Sequence, residues 1–144
     1  QAPFRGGKRG RASKDFTVFY WRMKKKSISR LKKAAWKVFS KWIRNRDKWT
    51  CFTCGAKIMG AGMHAGHFVP RVHSATFLHE MNVNAQCYPC NIHKKGNAGE
   101  YAYRLIEKYG KDAFEGLVKL GRTTKQFTPQ ELEEIIQKYG ETNQ

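Results

Sequence analysis

The sequence predicts an α+β fold: a small metal-stapled core flanked by helices, with a flexible basic N-terminal arm ahead of it. Three observations carry this. Four stretches, 29–48, 98–109, 111–120 and 128–139, repeat apolar residues at helical spacing or carry helix-end signals. The irregular middle, residues 50–97, holds two C-x-x-C pairs and all five histidines. Residues 1–14 (QAPFRGGKRGRASK) are rich in Gly, Arg and Lys, with a single aromatic, and cannot bury enough surface to order themselves.

The elements follow in order. Residues 16–22 (FTVFYWR) are aromatic and β-branched, suiting a short strand or an anchor on the core. From Ser29 to about Lys48, Leu31, Ala35, Val38 and Trp42 recur at spacings of four, three and four, so they share one helix face. Arg30, Lys33, Lys37, Lys41, Arg44 and Arg46 fall largely on other faces and suit a phosphate-facing surface. After a Gly-rich loop, the run Ala65-Gly66-His67-Phe68-Val69-Pro70-Arg71 reads as a strand carrying one imidazole to a site edge. The helix over 98–109 ends at Gly110, and that over 111–120 ends at Gly121. Thr128-Pro129-Gln130-Glu131 is a capping box with Pro at the first helical position. The expected organisation is an arm and aromatic segment over 1–28, a zinc-pinned domain over 29–121 and a C-terminal helix over 122–144.

Composition bounds the function. A chain of 144 residues and 16.7 kDa, 40% hydrophobic, suits one domain with an arm. No stretch approaches the roughly 20 apolar residues of a membrane span. Basic and Gly residues stand where a secretory leader would be apolar. Four Cys in 144 residues are sparse for a disulfide scaffold. The net charge is +17 and end-loaded. Residues 1–50 hold 17 Lys/Arg against 2 Asp, a net of +15; residues 51–100 are at +2, and residues 101–144 at zero. A field of that shape is the footprint of a polyanion partner, with no membrane implied.

The motifs narrow the chemistry. Cys51-x-x-Cys54 and Cys87-x-x-Cys90 suit a tetrahedral zinc site of four thiolates. Thirty-two residues separate Cys54 from Cys87, so something is built between the knuckles and pinned at both ends. His67 lies in that insert, and its ordinary pKa suits a general base near neutrality. Asn82 and Asn91 flank the second knuckle; their amides suit backbone hydrogen bonds or a hard cation such as Mg²⁺.

These residues together resemble the zinc-pinned HNH, or His-Me finger, nuclease pattern. The closer resemblance is to the phage NinG (Rap) recombination family. It rests on Phe39-Ser40-x-x-Ile43-Arg44-x-Arg46-Asp47, Cys51-x-x-Cys54-Gly55 and Ala65-Gly66-His67-Phe68. It continues through Asn82-Val83-Asn84-x-Gln86-Cys87-x-x-Cys90-Asn91, Gly96-Asn97 and Tyr101 or Tyr103. It covers roughly residues 36–120. Asn91 after the last Cys also looks like the arrangement of the phage junction-resolving endonuclease VII.

The resemblance implies a zinc-stabilised ββα-metal core and a structure-specific DNA endonuclease. That enzyme would cut branched DNA, including Holliday junctions, in phage recombination, within the cytoplasm of an infected host. It implies His67 as the base that activates water, Asn82 as the residue holding the ββα loop, and Asn91 as a ligand of catalytic Mg²⁺ or Mn²⁺. The four Cys would hold structural Zn²⁺. Many HNH nucleases place Asp or His before the base as a second metal ligand; here that residue is Gly66. Asn97, His64, Glu80 or His93 are the alternatives. Arg71, Lys94 and Lys95 would contact phosphates around the site, and a homodimer would suit paired cuts on two strands. Two other readings stand beside this one: a non-catalytic zinc-ribbon module binding nucleic acid, and an HNH nuclease with a homing or packaging role.

Overall fold

The computed structural model describes residues 27–142. The basic arm over 1–14 and the aromatic segment over 16–22 lie outside the described residues.

Helix α1, Ile28–Arg46, is capped by Ser27, whose hydroxyl accepts from the backbone N–H of Arg30 at 3.3 Å. Leu31, Ala35, Phe39 and Ile43, four apart, form its buried stripe, with Ser40 beside them. The expected stripe is right at Leu31 and Ala35 and drifts thereafter: Val38 and Trp42 are only partly buried, at its edge.

The middle is more regular than its composition suggests. Strand β1, Met63–His67, pairs antiparallel with β2, Val83–Cys87, in the register Met63↔Cys87 to His67↔Val83. All five residues of β2 are buried, including Asn84 and Gln86. A single turn of π-helix, Pro89–His93, follows directly. Then come α2, Ala98–Tyr109, α3, Lys111–Gly121, and α4, Pro129–Glu141. This is the mixed helix-and-small-sheet arrangement expected.

Apolar burial ties these elements together. Leu31 and Ala35 of α1 meet Phe127 and Leu132 at the start of α4. Phe39 and Ile43 meet Val83 and Tyr139, joining α1 to both the sheet and α4. Tyr101 and Leu105 of α2 pack with Leu117 of α3. The capping box of α4 is present. Thr128 Oγ1 accepts from the Glu131 N–H at 3.2 Å, and Glu131 Oε2 accepts from the Thr128 N–H at 2.8 Å.

A buried β2 rich in amides needs internal partners. Asn84 donates to Met81 O and to the Tyr101 hydroxyl, each at 3.1 Å, and accepts from Arg46 at 2.8 Å. Asp47 Oδ2 accepts from the Ala85 N–H at 2.7 Å. The end of α1 thus clamps the edge of the sheet.

Candidate active site and metal centre

The first knuckle turns at Gly55, whose φ of 76° suits glycine. The second begins at the end of β2, and Cys90 sits in the π-helical turn. Folding brings the four sulfurs within 4.8 Å of one another, with no disulfide among them. A tetrahedron with metal–sulfur bonds of about 2.3 Å has edges of about 3.8 Å, and Cys54 Sγ lies 3.7 Å from Cys87 Sγ. The four thiols could hold a metal ion such as zinc. Their crowding splits their acidities. At Cys51, burial opposes ionisation, but hydrogen bonds from Thr53 and the knuckle amides outweigh it and lower the pKa to about 6. Burial and the neighbouring sulfurs push Cys87 up to about 12. Four thiolates at this distance need a cation among them.

Beside the cluster opens a cleft of about 390 Å³, lined by Trp36, Gly66, His67, Arg71, Asn91 and Lys95, among others. His67 closes β1. Its Nε2 lies 3.0 Å from Phe77 O, a carbonyl that can only accept, so Nε2 carries the proton and Nδ1 is the basic nitrogen. The ring packs on Trp36 (centroids 4.9 Å, 22° between planes) and on Phe77 (5.9 Å, 5°). Burial lowers its pKa; the Phe77 bond pulls the other way, and the Arg71 charge adds to the lowering. The imidazole is therefore held neutral at physiological pH.

Asn82 is fully buried and ties the loop between the strands. It accepts from Val69 N–H at 2.7 Å and donates to Val69 O and Thr76 O, each at 3.0 Å. Behind the cleft, the Tyr101 hydroxyl donates to Gly66 O at 2.8 Å and to Asn82 O at 3.3 Å. Burial raises the Tyr101 pKa and keeps that donor protonated.

The structure brings Asn91 to this cleft and engages several of the other candidate residues elsewhere. Asn91 Nδ2 lies 2.9 Å from His64 Nδ1. His64 thus gives its Nδ1 to orienting Asn91 rather than to an ion. Asn97 turns its amide nitrogen toward Cys90 Sγ at 3.9 Å, on the thiol side. Glu80 is held by α4: the Tyr139 hydroxyl donates to it at 2.6 Å and Lys138 at 3.1 Å. His93 meets Tyr88 edge-on, 5.2 Å between centroids.

Among the cations, Arg46 departs from its expected role. Its guanidinium faces inward, donating to Asp47 (2.7 Å), Glu80 O (2.8 Å), Val83 O (3.1 Å) and Asn84 (2.8 Å), so it braces the sheet rather than a phosphate. Arg30, Lys33, Lys37 and Lys41 are exposed, at spacings that share the face of α1 opposite the buried stripe. Arg44, on the same side, is part-buried over Trp49, 5.6 Å away. Arg71 lies over Trp36 (5.0 Å) and Phe77 (5.2 Å), at the cleft mouth. A second groove of about 500 Å³ shares Arg71 and carries Lys32 and Lys33, extending the basic surface toward α1. Lys95 lines the cleft; Lys94 is exposed next to it.

Two site residues escape the sequence reading. Trp36 lies just off the buried stripe of α1, and only that offset marks it. Gln86 sits in a strand disguised by its own polar residues.

A family model described as "Bacteriophage Lambda NinG protein" matches residues 7–144. Protein ninG of Escherichia phage 933W is 30% identical over 109 residues, covering 74% of this chain and 53% of the relative. Protein ninG of Escherichia phage lambda is 34% identical over 83 residues (56% and 40%), and that of Salmonella phage P22 is 35% identical over 80 (54% and 39%). The chain spans about half the length of the curated relatives it matches. No solved structure matches it.

Proposed function

The chain belongs to the NinG family, and from that premise we propose that it is a metal-dependent endonuclease of the HNH, or His-Me finger, type. Its substrate would be branched DNA, Holliday junctions included, cut during phage recombination in the infected cell. One observation carries the reading: His67 is fixed through Nε2 on Phe77 O, with its basic nitrogen left for a proton, in a cleft shared with Asn91 and two cations.

Mechanism follows from these residues. The unprotonated Nδ1 of His67 takes a proton from water, and the hydroxide attacks phosphorus. The bond to the 3′ oxygen breaks, that oxygen takes a proton from solvent water and His67 returns its own to solvent, leaving a 5′-phosphate and a 3′-hydroxyl. Trp36 and Phe77 keep the imidazole desolvated and oriented. The Asn91 carbonyl oxygen would hold a hard divalent cation, Mg²⁺ or Mn²⁺, which would supply charge neutralisation to the phosphoryl group. Arg71 and Lys95 hold the scissile phosphate from the cleft rim. The four cysteines hold structural zinc, coordinatively closed and apart from the chemistry. Arg30, Lys33, Lys37 and Lys41 track backbone phosphates without reading sequence, and a homodimer would pair the cuts.

The test is cleavage of end-labelled Holliday junction, flap and linear duplex with Mg²⁺ or Mn²⁺, comparing wild type with His67→Ala. The reading expects branched DNA alone to be cut, and the variant to bind but not cleave. Cutting of every substrate would remove the branched-DNA part. Binding without any cleavage would leave a zinc-pinned nucleic-acid-binding module, the reading that Gly66 favours.

A further inference from the structure

Gly66 is the residue before the proposed base, and it has no side chain with which to hold a cation. The structure shows what occupies the neighbouring space. A Cβ built on Gly66 would collide with Gln86 Oε1 and stand 3.1 Å from Asn91 Oδ1. Gln86 comes from β2, the strand paired with β1, and its amide nitrogen bonds the carbonyl of Gly96, a residue of the cleft lining. Asn91 comes from the π-helical turn. Two amide oxygens therefore converge from different elements on the space that a side chain at residue 66 would otherwise fill.

Both oxygens are fixed in direction. Gln86 Nε2 donates to Gly96 O at 2.7 Å and to Thr53 Oγ1 at 3.3 Å. Gly96 O can only accept, so the nitrogen must face it and the oxygen must face Gly66. The Asn91 nitrogen is held by His64 Nδ1, which turns Oδ1 the other way. Gln86 is fully buried, and among the described residues its Oε1 is the one buried side-chain polar atom without a hydrogen-bond partner. A desolvated amide oxygen in that state is costly, and native folds seldom leave one unmatched. Amide oxygens are ligands for hard cations.

We propose that Gln86 Oε1 and Asn91 Oδ1 together hold the divalent cation, with Gln86 supplying from the opposite strand the ligand that Gly66 lacks. The proposal rests on the nuclease reading for the cation's use, but not for its binding. Neutral amides bind a hard cation more weakly than carboxylates do, so the free protein takes Mn²⁺ weakly and substrate phosphate completes the shell.

The test uses zinc-loaded, full-length protein without DNA. Mn²⁺ is titrated into ¹⁵N-labelled wild type and paramagnetic broadening of side-chain amide signals is followed. The Gln86 and Asn91 NH₂ signals should broaden first and together. Broadening of Asn91 with Gln86 left sharp, or of neither, overturns the proposal, and this arm needs no variant to fold. In a second arm, Mn²⁺ affinity is read from loss of the free-ion electron paramagnetic resonance signal. Gln86→Glu, with a carboxylate in the same place, should tighten Mn²⁺ by at least about tenfold. A merely structural Gln86 predicts unchanged affinity and a less stable protein. If Mn²⁺ binds as described but no DNA is cut, the nuclease reading fails and the site stands. If DNA is cut while Gln86 stays sharp, only the site fails.

Discussion

Replacing Asn82 with Ala would strip Val69 N–H, Val69 O and Thr76 O of a shared partner at the part-buried base of the loop. An unsatisfied buried group costs about 1–3 kcal/mol, so Asn82→Ala should lose about 3 kcal/mol in urea unfolding. A loss under about 0.5 kcal/mol, the size of a neutral surface change, would show that the loop holds itself. His67 makes a different prediction. Its pKa is lowered by burial, so the folded state keeps the ring neutral at pH values where the unfolded chain protonates it. That contribution to stability is complete above the ordinary value of 6.5 and is lost as pH falls through the folded value. His67→Gln should flatten the fall in melting temperature below pH 6.5, and an unchanged slope would place the acid sensitivity elsewhere. If cleavage occurs, its acidic limb should likewise lie below pH 6.5. At this scale the sequence was legible for the cysteines, whose four sulfurs the fold gathers within 4.8 Å of one another. It was mute about Trp36, which walls the imidazole, and it named Gln86 only within the family motif, without a role.

Among the elements, α1 places cations that look alike in sequence in two settings, Arg46 turned inward and Arg30, Lys33, Lys37 and Lys41 exposed. Arg46, braced against Asp47, Glu80 O, Val83 O and Asn84, joins the helix end to β2. Arg46→Ala should cost about 2 kcal/mol of stability, in line with removing the shared donor of several part-buried acceptors. Lys37, exposed in mid-stripe, should do the reverse. Lys37→Ala should leave stability within about 0.5 kcal/mol but reduce the salt slope of DNA binding by about 1. Matching effects of the two variants on urea unfolding would deny this division. The helices were legible because amphipathic spacing and end signals are local: the expected end at Gly110 and the capping box at Thr128 stand, while α3 runs through Gly121, whose φ is not positive, and is capped by Arg122. Strand β2 was not. Its alternation is erased because both faces are covered, and Asn84 and Gln86 read as loop residues until Tyr101, Arg46 and Gly96 are found bonding them.

For the molecule as a whole, the thiol cluster joins residues 36 apart in sequence, from Cys51 to Cys87, while both strands depend on it. Binding free energy at a structural zinc site is largely folding free energy. Purified protein should carry one zinc per chain, and a strong chelator should remove it with cooperative loss of near-ultraviolet circular dichroism. Retention of native spectra after zinc removal would show that the apolar clusters suffice. The exposed stripe on α1 has a last consequence. Helix α1 carries seven Lys/Arg and no acidic residue, whereas residues 101–144 are neutral on balance, so among the described residues the positive field is strongest over α1. A polyanion several ångströms off would pull on that face before any contact forms, so encounters would arrive α1-first, and added salt would weaken their orientation as well as their strength.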